Sequence, residues 1–175
     1  MGRVLTDAEY VIICKAQRDI AESWKRGVAL FTATGLDIPA LMQKVVEARW
    51  RFANGIRIEG HTVLGLAAPN YRLAINRFYY AMYHSMRAVV YHHHGGDDHE
   101  KYSVLPTKVP PGFVDSAIWQ NNIKSAREFR NNADYDPYPE ADASFAGGAI
   151  ILRDQADALL QLTRVYLIGQ GCINL

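Results

Sequence analysis

The sequence predicts an all-α fold, an up-and-down bundle of four core helices with one or two further helices at the N-terminus. Three observations point there. Long stretches repeat apolar residues at three- and four-residue steps. Short breaks rich in Gly, Pro, Asn and Asp separate them. No stretch alternates apolar and polar residues between turns: Val4-Leu5 is too short, and Ile150-Ile151-Leu152 lies inside a helical pattern.

Composition sets the outer bounds. A chain of 175 residues, 49% hydrophobic, suits one domain with one sizeable core. The formal charge of +1 gives no global attraction to nucleic acid or membrane, while a local basic patch stays open. Cys14 and Cys172 sit near opposite ends without a motif, which argues against a disulfide framework. No apolar run reaches the length of a membrane span, and the N-terminus lacks a signal-peptide pattern. The expectation is a cytoplasmic protein with no membrane partner. Residues 1–36 form an N-terminal helical extension, 37–169 the bundle, and 170–175 a loose tail.

Thr6-Asp7-Ala8-Glu9 fits a capping box at the start of the first helix. Ile13, Ala16, Ile20, Trp24, Val28 and Phe31 make a seam along it, weakened at Gly27 and stopped at Gly35. Asp37 can cap the next helix, with Pro39 tolerated in its first turn. Ile38, Leu41, Val45, Ala48 and Phe52 form its inner face, and Asn54-Gly55 ends it. Residues 56–69 read as an irregular connection.

The stretch from Asn70 to Tyr91 is the organising helix. Ile75, Phe78, Met82, Ser85, Met86 and Val89 recur at helical spacing. Arg77, Tyr80, His84, Arg87 and Tyr91 form a second, polar and aromatic stripe beside them. An ordinary surface helix carries one apolar stripe and a charged back. Two stripes predict that this helix is covered twice, once by its own core and once by a partner or ligand. Gly95-Gly96 breaks it, and a polar loop with Pro106, Pro110 and Pro111 follows. A helix then starts near Asp115, with Val114, Ile118, Asn122, Ser125, Ala126 and Phe129 inward, and stops before Pro137 and Pro139. The last helix runs from about Asp142 to Ile168, with Ala149, Ile150, Ala156, Leu159, Leu160, Thr163 and Leu167 inward and Gly169 closing it.

Two short motifs carry a family resemblance. Arg77-Phe78-Tyr79-Tyr80-Ala81-Met82-Tyr83 resembles the R-x-Y-Y-A-M-[FY] signature on the second helix of HEPN domains (higher eukaryote and prokaryote nucleotide-binding). Arg130-Asn131-Asn132-Ala133-Asp134-Tyr135 resembles the R-x-x-x-D-Y signature that ends their third helix. The resemblance covers roughly residues 39–168. It implies a four-helix up-and-down fold, commonly a homodimer whose second and third helices approach their symmetry mates. Many such domains are metal-independent ribonucleases with an R-x4-6-H motif. Some are toxins paired with a nucleotidyltransferase antitoxin, and others are binding or scaffold modules.

Metal-independent RNA cleavage needs a base for the ribose hydroxyl, an acid for the leaving oxygen and a cation for the phosphate. Histidine suits the proton work and an arginine fork suits the phosphate. Counting from Arg130, the histidine should fall at Tyr135, Asp136 or Pro137, and Tyr135 takes its place. A tyrosine hydroxyl donates well but is a poor base at neutral pH. The expectation is therefore a dimeric binding module for a nucleotide, RNA or a partner protein, with ordinary nuclease chemistry weak or absent. One alternative is a ribonuclease toxin using Arg130 with Tyr135, or a second-helix histidine. Another is a purely structural interaction domain.

The candidate cleft residues, for a ligand or a dimer, are Arg77, Tyr80, His84, Arg87, Arg130, Asn131, Asp134 and Tyr135. The plain reading of the first four is a hydrogen-bonded dimer interface. For Arg130 with Asp134 it is an i,i+4 ion pair fixing a helix end. Tyr79, Tyr80 and Tyr83 fit core and interface packing, with base stacking the sharper alternative. His92, His93, His94, Asp97, Asp98, His99 and Glu100 match no common zinc spacing, so no metal or other cofactor is expected.

Overall fold

A computed structural model describes residues 6–23 and 38–175. Among these residues every regular element is helical. The long helices are α1 (Asp7–Lys15), α2 (Ile38–Leu64), α3 (Tyr71–His94), α4 (Ser116–Tyr135) and α5 (Ala146–Gly169). Residues 18–23 are also helical, and single 3-10 turns span Leu105–Lys108 and Asp142–Phe145. No helix among the described residues is long and apolar enough to cross a membrane.

Side-chain pairs fix the helix directions. Glu59 meets Arg77, Phe52 meets His84 and Arg49 lies over Tyr91, so α2 and α3 are antiparallel. Asn76 reaches Asp134 and Tyr80 reaches Arg130, so α3 and α4 are antiparallel. Phe113 just before α4 touches Tyr166 late in α5, and Phe129 late in α4 lies near Gly148 early in α5. Arg57 pairs with Asp157 and Trp50 with Thr163, which closes α5 antiparallel onto α2. The four long helices therefore alternate up and down.

Helix α3 is the centre. Most of its residues are buried, including Ile75, Phe78, Tyr79, Met82, Met86 and Val89, and it packs against α2, α4 and α5. A helix buried nearly all round needs firm ends, because its first amides and last carbonyls lack helical partners. The Asn70 side chain accepts from the Leu73 amide at 2.9 Å. The Asp142 carboxylate accepts from the Tyr71 and Arg72 amides at 2.6 and 3.0 Å. At the other end Gly95 takes the left-handed conformation, φ 73°, and returns its N–H to Tyr91.

Several expectations are corrected here. The N-terminal seam is not one helix: the chain leaves α1 at Ala16-Gln17, Ile13 and Ala16 are buried, and Ile20 is exposed. Trp24, Val28 and Phe31, with Gly27, Gly35 and Asp37, lie outside the described residues. Helix α2 does not stop at Asn54-Gly55 but runs to Leu64. Its inner face is Leu41, Met42, Val45, Val46, Trp50, Ala53 and Ile56, while Ala48 and Phe52 are exposed. The inner face of α4 is Trp119, Ile123, Ala126 and Ala133, which leaves Val114 and Ile118 out in solvent. Ile150 is exposed on α5, whose other inward residues are buried.

The C-terminal residues are not loose. Cys172 is fully buried. The buried Glu47 carboxylate accepts from the Ile173 amide at 3.0 Å and the Asn174 side chain at 3.0 Å. Burial alone would raise the Glu47 pKa, but these bonds outweigh it and hold the carboxyl below its ordinary value.

Candidate ligand-binding site

A groove runs along the seam between α3 and α4 and is walled at one end by the loop that follows α3. It has two lobes. The first, about 470 Å³, is lined by Tyr79, Tyr80, Tyr102, Arg127, Arg130, Asn131 and Tyr135. The second, about 420 Å³, is lined by Tyr83, Arg87, Glu100, Lys101, Tyr102, Ser103 and Arg127. Arg127 and Tyr102 belong to both lobes. The antiparallel helices explain the composition. Tyr79, Tyr80, Tyr83 and Arg87 follow one edge of α3, and Arg127, Arg130, Asn131 and Tyr135 follow the facing edge of α4.

The tyrosines form one cluster. Tyr102 comes from the loop, and its ring centroid is 4.6 Å from that of Tyr83 and 6.3 Å from those of Tyr79 and Tyr80. Burial, helped by Tyr102 and Tyr80, pushes the Tyr79 hydroxyl far above its ordinary pKa, and burial pushes Tyr83 up to about 12. The Tyr80 hydroxyl is raised by burial and by its hydrogen bond with Tyr102. These three hydroxyls are therefore protonated donors at neutral pH.

Arg130 lies across the first lobe. Its Nη2 donates to the Tyr80 hydroxyl at 3.0 Å, and its guanidinium lies 5.4 Å from the Tyr80 ring and 5.0 Å from the Tyr135 ring. Nε stands 2.7 Å from Asp134, the i,i+4 pair that the sequence suggests. Asp134 in turn accepts from the Asn76 side chain at 3.1 Å. Arg127 and Lys101 are exposed and have no ion-pair partner among the described residues. They are the groove's uncommitted cations.

The candidates divide accordingly. Tyr80, Arg130, Asn131 and Tyr135 line the first lobe, and Asp134 holds Arg130 from beside it. Arg87 lines the second lobe, but both Asp97 and Glu100 hold it. Arg77 points away to Glu59 on α2 at 3.2 Å. His84 packs edge-on against Phe52, with centroids 5.0 Å apart, and burial with nearby Arg87 drives its pKa down to about 4. Tyr91 is buried and donates to the Ile13 carbonyl at 3.0 Å. The second stripe of α3 is thus covered largely by the chain's own α2 and N-terminal segment, and only Tyr80 and Arg87 reach the groove. The periodicity shows that a second cover exists, but periodicity cannot say which element supplies it.

Sequence reasoning passed over Arg127, Lys101 and Tyr102. Arg127 was within reach, since it stands three residues before Arg130 on the same helix edge. Nothing local marks Tyr102, which a loop delivers. Around the histidine-rich loop, no group of three or more potential metal ligands gathers among the described residues. Comparison with protein-family models, with curated proteins and with solved structures finds no match.

Proposed function

We propose that this protein is a binding module for single-stranded RNA or a related nucleotide ligand, held in the α3–α4 groove and not cleaved there. The carrying observation is Arg127. It is an exposed arginine with no ion-pair partner among the described residues, set between the two lobes, with Arg130 on one side and Lys101 on the other. Cations track the phosphates of a single strand, and aromatic faces accept its bases, each stack contributing about 1–3 kcal/mol. Of the lining tyrosines Tyr80, Tyr102 and Tyr135 reach the surface for this, while Tyr79 and Tyr83 are buried. Two connected lobes suit an elongated anion better than a lone phosphate. The HEPN-like motifs support the same reading, because their Arg77–Tyr83 and Arg130–Tyr135 segments face each other across this seam.

Cleavage is disfavoured by the proton chemistry. A base near neutrality is required. His84 is held near 4, and the lobe hydroxyls of Tyr79, Tyr80 and Tyr83 are held protonated. The protein is also proposed to be a homodimer, joined through the exposed apolar residues Ile118 and Phe129 of α4 and Val114 in the turn before it.

The test is fluorescence anisotropy with a labelled oligouridylate in EDTA, with the product run on a gel. Wild type should bind without cutting, and Arg127→Ala should bind at least about tenfold more weakly. No binding by a folded wild type would refute the module. Cleavage lost in both Arg130→Ala and Tyr135→Phe would replace it with the ribonuclease alternative.

A further inference from the structure

Residues 6–23 line neither lobe, yet they are bolted to the loop that walls both. Among the described residues four hydrogen bonds make the joint, the first two from α3 and α2 and the last two to the loop itself. The Tyr91 hydroxyl donates to the Ile13 carbonyl and the Arg49 guanidinium donates to the Cys14 carbonyl. The Asp97 amide donates to the Ala16 carbonyl at 2.9 Å. The Arg18 amide donates to the Asp98 carboxylate at 2.7 Å. Ile13, Ala16 and Ala21 are buried beneath them.

Asp97 is the pivot. It is 5% exposed, and its two oxygens accept from Arg49 on α2 and Arg87 on α3. Burial alone would raise its pKa, but the two guanidinium groups outweigh that and hold it below its ordinary value. Arg87 continues to the Glu100 carboxylate at 2.8 Å, and the Glu100 carbonyl accepts from the Tyr83 hydroxyl. Lys101 and Tyr102 follow directly. The path from segment to groove wall is therefore a short run of charge-assisted bonds, which hold geometry more firmly than neutral ones. Lifting the segment would strip buried donors on Tyr91 and Arg49 of their acceptors.

Gly96 marks the closeness of the joint. A Cβ there would stand 2.3 Å from the Arg18 nitrogen and 2.6 Å from its Cα. Its φ lies outside the left-handed region, so the backbone itself would accept alanine. The added methyl would collide with the docked segment and with the Asp98 side chain, at 2.8 Å.

We infer that residues 13–18 act as a strap whose docking on Gly96, Asp97 and Asp98 sets the Lys101–Tyr102 wall of the groove. The strap is a positioning element, and its relevance to binding rests on the groove being the binding site. A partner that took up the strap would loosen the wall without entering the groove.

Two variants test it from opposite sides. Gly96→Ala pushes the strap away. Arg18→Pro deletes the amide that donates to Asp98, together with an exposed side chain, at the first residue of helix 18–23, where proline is tolerated; Arg18→Ala, which keeps the amide, controls for the lost side chain. Amide exchange is followed by mass spectrometry beside oligouridylate anisotropy, with circular dichroism confirming the helices. Both variants should speed exchange at Val104 and Leu105, whose amides bond to Lys101, by about tenfold, as expected of local opening. Oligouridylate affinity should fall about threefold or more, through the lost stacking on Tyr102. Unchanged exchange at residues 101–105, with faster exchange at 13–18, would sink the strap. A loosened wall with unaltered affinity would keep the strap and take Tyr102 out of the binding surface. A wild type that binds no oligouridylate would refute the proposed function instead, and the exchange data would still decide whether the strap sets the wall.

Discussion

Arg130 and Arg127 are the same residue type on one edge of α4, and their surroundings give them different duties. Arg130 is half-buried, paired with Asp134 and bonded to Tyr80, so its removal frees a carboxylate and a hydroxyl as well as deleting a cation. Arg127 carries no such partner among the described residues, so Arg127→Ala is the cleaner probe. For a single strand each neutralised phosphate contributes about 0.7 to the slope of log affinity against log salt. Arg127→Ala and Lys101→Ala should each flatten that slope by about this amount in anisotropy titrations, and an unchanged slope would put phosphate elsewhere. His84 offers a separate test through pH. Its folded pKa, lowered to about 4 by burial and Arg87, lies below the ordinary 6.5. The unfolded chain therefore binds the proton first. The stabilising contribution is complete above about 6.5 and drains away as pH falls toward about 4. His84→Phe should flatten the fall in Tm across that window.

At the scale of the helix, two glycines of α2 make opposite demands. Gly55 has open space around it, so Gly55→Ala should stabilise by up to about 1 kcal/mol through helix propensity. Gly60 faces the fully buried Phe78 ring, and a Cβ there would stand 2.8 Å from Cε1. Gly60→Ala gains the same propensity but meets a ring with no room to retreat, and should lose at least about 1 kcal/mol in urea unfolding. The same pair shows what the sequence revealed. Asn54-Gly55 has the local chemistry of a helix end, yet tertiary packing of Ile56 and Gly60 against α3 and α5 carries α2 onward to Leu64. Local propensity is weak against that burial. Helix α3 was legible because its apolar period is long and its ends carry Asn70 and Gly95. The inner face of α4 was misread by one position, since Ile118 and Val114 imitate a seam that Trp119 and Ile123 occupy. Of the groove, the two helix motifs were visible and the loop's Tyr102 was not.

For the whole molecule, that misreading carries a consequence. On α4, Ile118, Asn122, Ser125 and Phe129 still recur at helical spacing, and the described bundle leaves Ile118 56% exposed, as it does Val114, in the turn just before the helix, at 61%. At 100° per residue this stripe lies on one side of the buried face of α4, while Arg127 and Asn131 lie on the other. A second copy could therefore cover the stripe and leave the groove open, giving a dimer with two independent sites. A purely structural role for Val114 and Ile118 within the monomer would demand cover that the described residues do not give them. Ile118→Glu separates the cases, because it places a charge where burial on association would be required and disturbs little in an isolated chain. Light scattering should show the variant shifting from dimer to monomer, with its circular dichroism and Tm close to those of wild type and its oligouridylate affinity per chain retained. A wild type that is monomeric at every concentration would remove the dimer from the proposal and leave the groove untouched. A monomeric variant that had also lost RNA binding would instead place the groove's function across the two-fold axis, and the sites could no longer be independent.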